Sequence, residues 1–147
     1  MREIKFRAWD KKERIMGFVT RLVFNKNTHS FCNARFYKNN KIKDDGFYFG
    51  QEDGSDNIVL MQYIGLKDKN GREIYEGDLC TDKDNIVQIV WSENHQWGCK
   101  IVKTNYILQK YLTFPLWQWD RCEKNGNRDL EVIGNIYENP ELLEVKQ

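Results

Sequence analysis

His95 and Cys99 stand four residues apart with Glu93 close by. Imidazole, thiol and carboxylate together suit a metal ion, or a nucleophile with its base, if that spacing falls on a helix, where residues i and i+4 share a face. Trp91 and Trp97 flank the pair in a pattern that reads as a hairpin, and there the same spacing brings nothing together. The expectation is an exposed turn histidine and a packed thiol. His29 and Cys32 span a turn into a strand and lack a third partner in sequence. Glu76, Asp78, Asp82 and Asp84 form an acidic cluster of the kind that holds a divalent cation or supplies an acid and a base. The EF-hand spacing is absent, and an aspartate directly after Gly77 commonly ends a turn by accepting local amide hydrogens, so a solvated acidic rim is the better reading. There is no Walker loop, dinucleotide glycine fingerprint, Gly-x-Ser-x-Gly elbow or His-Glu-x-x-His pair. These patterns give no catalytic residue, no metal ligand and no cofactor, and the chain reads as a protein other than an enzyme.

Two further groups suit binding. Lys5, Arg7, Lys11, Lys12 and Arg14, with Arg2 and Arg21 nearby, interleave with Trp9, Phe18 and Phe24, and Lys38, Lys41 and Lys43 add a second basic segment. Cations neutralise phosphates while aromatic faces stack on unpaired bases, so single-stranded DNA or RNA is one partner this suggests. The competing reading assigns those aromatics to the core of a sheet. Phe114, Leu116, Trp117 and Trp119 form a concentrated aromatic patch of the kind that anchors protein interfaces. One of the two tryptophans is expected inside, leaving the other for a partner.

The elements that must position these residues are strands. Ile4, Phe6 and Ala8 alternate with Lys5, Arg7 and Trp9, a period of two that predicts an apolar row inward and a cationic row outward. Residues 14–24 and 30–37 continue in the same way, whereas 38–45 and 51–57 are polar and read as loops. Residues 58–64 are apolar almost throughout, which predicts a strand covered on both faces. Asn70-Gly71 offers the positive backbone angles of a tight primed turn before a return strand at 72–75, and Gly65, Gly77 and Gly134 mark bends or close approaches. Residues 79–81, 86–91 and 97–103 follow as short strands, and successive hairpins over 60–103 resemble a bent, SH3-like barrel. Asn105 would cap a helix carrying Ile107, Leu108, Tyr111 and Leu112 on one face, stopped by Pro115. Residues 116–119 return to two-residue alternation. A last strand spans 130–137, and Asn139-Pro140-Glu141 opens a terminal helical turn.

At 147 residues the chain is expected to form a single domain, 1–147, with 1–57 as a β elaboration on a barrel-like body at 58–147. Residues 1–50 hold twelve Lys/Arg against five Asp/Glu and residues 51–147 eleven against seventeen, a difference of +7 and −6. Such halves neutralise one another within a subunit, or meet head to tail between subunits, or mark a nucleic-acid face. No apolar run is long enough to span a bilayer and no secretory signal is apparent, so a cytoplasmic protein without a membrane partner is expected. Cys32, Cys80, Cys99 and Cys122 are widely spaced, with no Cys-x-x-Cys knuckle, and should be reduced thiols there.

Three stretches, KFRAWD at 5–10, MQYIGLKDKNGREIYEGD at 61–78 and LEVIGNIYENPELLE at 130–144, resemble the hallmark blocks of the YopX family of phage and prophage proteins. The resemblance implies a mostly β protein with an irregular barrel-like body, made in an infected or lysogenic bacterial host and able to self-associate; with the short internal helix and the C-terminal helical turn read from the residues, the fold class expected is mainly β (β-rich α+β). It implies no reaction. The blocks are built of turn and core residues, Asn70, Gly71, Gly77 and Asp78 among them, and such motifs preserve architecture. The function expected is a binding or assembly module acting through contacts with phage or host proteins and with further copies of itself, as a homo-oligomer. Nucleic-acid binding is the alternative, and a small hydrolase the remote one.

Overall fold

The computed structural model describes residues 3–26, 30–50, 55–82, 84–118 and 130–144. They are mainly β and form two antiparallel sheets, with strand orders β4-β3-β2-β1-β5-β6 and β10-β9-β8-β7-β11. The chain divides into two compact units, one of residues 3–62 and one of residues 63–147.

The first unit holds β1 (Phe6–Asp10), β2 (Ile15–Val23), β3 (Ser30–Lys38), β4 (Lys41–Phe49) and the start of β5 (Ile58–Lys67). Its core is the row Ala8, Cys32, Ala34, Phe36 and Ile58, with Leu22, Phe47 and Leu60 packed against it. Small residues let the strands curl around a single large ring: a methyl group on Gly17 would sit 2.5 Å from the ring of Phe36. Strand β4 corrects the loop expected at 38–45. Asn39 and Asn40 have φ of 50° and 59°, the left-handed pair a type I′ turn requires, and Lys38 stands opposite Lys41. The strand escapes a reading by alternation because it is an edge with little burial on either side. A second correction concerns β1: the outward row expected at Arg7 and Trp9 is buried, with Arg7 at 7% exposure.

The second unit holds the rest of β5, then β6 (Glu73–Tyr75), β7 (Asp78–Thr81), β8 (Ile86–Trp91), β9 (Trp97–Lys103), β10 (Thr113–Pro115) and β11 (Glu131–Asn135). Ile64, Ile74, Val87, Ile89, Ile101 and Val132 form its core with the thiols of Cys80 and Cys99. Each large aliphatic side chain removed from water there contributes about 1.5–3 kcal/mol. The sheets are open, and no barrel closes among the described residues.

The hairpin between β5 and β6 forms where expected by a different turn. Asp68 N–H donates to Arg72 O at 2.8 Å, Gly71 N–H donates to Asp68 O at 3.0 Å, and Gly71 alone is left-handed, at φ 81°. This is a type I turn followed by a glycine bulge, so Asn70 needs no positive angle. The β8–β9 turn repeats the plan with His95 in the left-handed position, at φ 57°. The internal helix shrinks to one 3-10 turn at Ile107–Gln109, and residues 116–118 form another in place of an alternating strand. Leu108 and Leu112 are exposed, so the helical spacing has no core to face, and Tyr111 at φ 69° breaks the path. The terminal turn at Pro140–Leu142 follows Asn139 as expected.

Candidate functional site

Acidic and amide side chains that resemble site chemistry are bound to the backbone. Asp10 Oδ1 accepts from Lys12 N–H at 2.8 Å and Glu13 N–H at 3.0 Å. Asp78 is fully buried and Oδ2 accepts from Tyr75 N–H at 2.8 Å, the turn-ending role expected of it beside Gly77, whose φ is 79°. Asp68, which sequence reasoning passed over, is buried and accepts three amide hydrogens, from Asn70 (2.8 Å), Arg72 (2.9 Å) and, 64 positions away, Val132 (3.0 Å). Asn135 closes the last turn, its Oδ1 accepting from Tyr137 N–H and Glu138 N–H at 3.0 and 2.9 Å. Asp10, Asp68, Asp78 and Asn135 are all buried. Burying a carboxylate is costly unless charge-assisted hydrogen bonds surround it, and Asp10 and Asp68 meet that demand with two and three amides respectively.

The thiols are equally inert. Cys32, Cys80 and Cys99 are buried and form no disulfide. Burial pushes the Cys32 thiol up to about 11, and burial followed by the charge of Asp78 pushes Cys80 upward too. A thiol held protonated in this way is a poor nucleophile and a poor ligand. His95 lies exposed at its turn while Cys99 faces the core, so the candidate pair does not form. Asp82 caps its own turn, accepting from Asp84 and Asn85 N–H. Among the described residues no group of three His, Cys, Asp or Glu could hold a metal ion. His29, Cys122 and Trp119 lie outside the described residues.

What the fold does bring together are surfaces. Strand register places Phe18, Arg35 and Asp44 in one row, Tyr37 and Ile42 in a second, Phe31 and Tyr48 in a third, and Arg21 beside Asn33, all on one face of the first unit's sheet. Phe18, Tyr37, Ile42 and Tyr48 are each more than half exposed. Phe31 meets Tyr48 edge to face with centroids 5.2 Å apart, and Arg35 grips Asp44 through two hydrogen bonds of 2.8 and 3.1 Å. Tyr37 and Tyr48 were absent from the sequence-based candidates, because the mixed residues of β4 carry no alternation that marks its faces.

The basic candidates separate. Arg7 is buried and its Nη2 points at Met61 Sδ, 3.6 Å away, so it is withdrawn as a phosphate contact. Lys5 pairs with Glu3 at 2.8 Å. Lys11, Lys12 and Arg14 are exposed on the β1–β2 turn, at the same end of the sheet as the Lys38–Lys41 turn, and the Lys38–Glu13 ion pair of 3.0 Å ties the two turns together. The hydrogen bond from Lys38 holds the Glu13 carboxyl below its ordinary value, with Lys43 and Lys12 adding to the effect.

In the second unit, Phe114 is half-buried against the core and lines an open cleft of about 430 Å3 with Val90, Trp91, Glu93, Lys100 and Pro115. Trp117 is 69% exposed. An apolar excursion between β9 and β10 also exposes Tyr106, Leu108, Tyr111 and Leu112, Leu108 at 89%. Backbone bonds hold that excursion out: Tyr111 N–H donates to Ile101 O at 2.8 Å and Ile101 N–H to Leu112 O at 2.9 Å.

Comparison with known proteins gives two findings. The family model described as "YopX protein" matches residues 5–144, nearly the whole chain. The crystal structure of protein EF1440 from Enterococcus faecalis is similar over 98% of this chain and 100% of that one, with 28% identity and a TM-score of 0.60. No match to a curated protein was found.

Proposed function

Because the chain belongs to the YopX family, whose hallmark blocks here supply turns and buried clamps, we propose that it is a non-enzymatic binding or assembly module of a phage or prophage. It acts through protein–protein contacts, including contacts with further copies of itself, in the cytoplasm of the bacterial host, and needs no cofactor. The exposed apolar side chains of residues 106–112, with Trp117 further along the chain, carry this reading. Tyr106, Leu108, Tyr111 and Leu112 stand in water on a hydrogen-bonded backbone and are pre-organised for a partner, since ordering them costs little at the moment of binding. Covering each such large apolar side chain contributes about 1.5–3 kcal/mol. Strand order β10-β9-β8-β7-β11, with the last strand returning beside the first, supports reading the second unit as an open SH3-like barrel.

Light scattering across a concentration series tests the assembly reading. A wild-type particle larger than one chain is expected, shifting toward the monomer in Trp117→Ala and Leu108→Ala variants that keep the native circular dichroism. A wild type that stays monomeric up to about 1 mM, the weak end of specific association, overturns it.

A further inference from the structure

We propose that the exposed face of the β2–β3–β4 sheet, with the basic turns at its end, is a platform for single-stranded nucleic acid. This goes beyond the assembly reading, which rests on the second unit. Four exposed side chains, Phe18, Tyr37, Ile42 and Tyr48, lie on adjacent strands in fixed register. Register sets the Phe18 row about 7 Å along the strands from that of Tyr37 and about 14 Å from that of Tyr48, so the aromatic rings on this face are spaced to take separate unpaired bases. Tyr37 and Ile42 adjoin the turn that ends in Lys38 and Lys41, and Lys11, Lys12 and Arg14 stand at the same end. The carboxylates of this region are already engaged: Asp44 by Arg35, Glu13 by Lys38, Asp45 by Lys43, and Asp10 by the amides of Lys12 and Glu13. Among the described residues, no ion pair engages Lys11, Lys12, Arg14, Arg21 or Lys41.

Uncompensated cations beside exposed aromatics match a phosphodiester chain with splayed bases. They match a second copy of the same face poorly, because an isologous contact sets each patch against itself and brings like charges together. Duplex DNA fits less well, since stacked bases offer nothing to the rings. The recognised chemistry, phosphate plus an unstacked base, is common to DNA and RNA.

Fluorescence anisotropy of the full chain with labelled oligo(dT) and oligo(U) of about 20 nucleotides, and with a duplex of the same length, tests the platform. Both single strands are expected to bind more tightly than the duplex. Log affinity should fall with log salt, by about 0.7 for each phosphate contacted by the five cations. Phe18→Ala and Tyr37→Ala are each expected to weaken single-strand binding about fivefold or more without changing that slope. Lys12→Glu with Lys41→Glu should lower affinity and flatten the slope, and Trp117→Ala should leave binding unchanged. These substitutions are on the exposed surface, and Tyr48→Ala serves as a further ring variant if one of the first two fails to fold. Absence of binding at low salt overturns the proposal. So does binding that the ring variants leave intact, or a face whose ring variants alter only the oligomeric state.

Discussion

Replacing Asp68 with alanine removes one side chain from the hairpin turn, yet it should loosen β11, because Asp68 Oδ2 is the acceptor for Val132 N–H. That hydrogen bond is buried, and a bond to a charged acceptor is worth about 1.5–3 kcal/mol. The amides of Asn70 and Arg72, both bonded to Oδ1, are part-buried, so water recovers a share of what they lose. The combined cost is about 4 kcal/mol, a large fraction of the 5–15 kcal/mol typical of a folded domain. Asp68→Asn keeps one carbonyl oxygen in place of two carboxylate oxygens and should cost about half as much. In urea unfolding, with a slope of about 2 kcal/mol per molar for a chain of this size, the midpoint of Asp68→Ala should fall by about 2 M. Amide exchange at Val132 should quicken as well. A loss below about 1 kcal/mol with Val132 still protected would refute the view that this carboxylate is a clamp.

Gly71→Ala is expected to destabilise by about 1 kcal/mol, because only that position in the turn is left-handed, while Asn70→Ala should stay within about 0.5 kcal/mol; thermal melts compare the two. Ion pairing depresses the folded carboxyls of Glu13 and Asp44 from 4.5 and 3.8. Their stabilisation is therefore full above those values and is lost as pH falls through the lower folded ones. In an NMR titration, Lys38→Ala should raise the Glu13 midpoint and leave Asp44 where it is. Finally, Cys32, Cys80 and Cys99 should resist an aromatic disulfide reagent in the native state and react on unfolding. A Cys122→Ser variant isolates them, and a fast native reaction there would show that the core opens.

Most strands were legible because one or both of their faces meet a core. β1 and β2 announce themselves by alternation, β3 by its aromatic residues, β8 and β9 by short apolar runs between turns, and β5 by a nearly continuous apolar run. β4 was not legible, since an edge strand is free to carry Lys41, Lys43, Asp44 and Asp45 in succession. Helical spacing at 107–112 misled because spacing states where side chains point and leaves open whether anything waits there; Leu108 and Leu112 meet solvent. Asn70-Gly71 located the hairpin correctly and misnamed its geometry, since one glycine suffices when a bulge follows a type I turn. For the site, the interface candidate Trp117 is exposed, but two of the five basic candidates dropped out once Arg7 turned inward and Lys5 paired with Glu3. The pairing of Asp68 with Val132 is a contact between distant positions that no local pattern encodes.

Strand β5 serves as a common ruler. Residues 58–62 are measured against β1 and residues 63–67 against β6. An extra residue inserted near its middle would reverse the facing of every side chain on one side of the insertion, turning Met61 and Ile58 or Tyr63 and Ile64 away from the places they now fill. An equal insertion between Thr104 and Lys110 would only lengthen a protruding excursion. Length variation among related chains should therefore collect in the second place and be barred from the first.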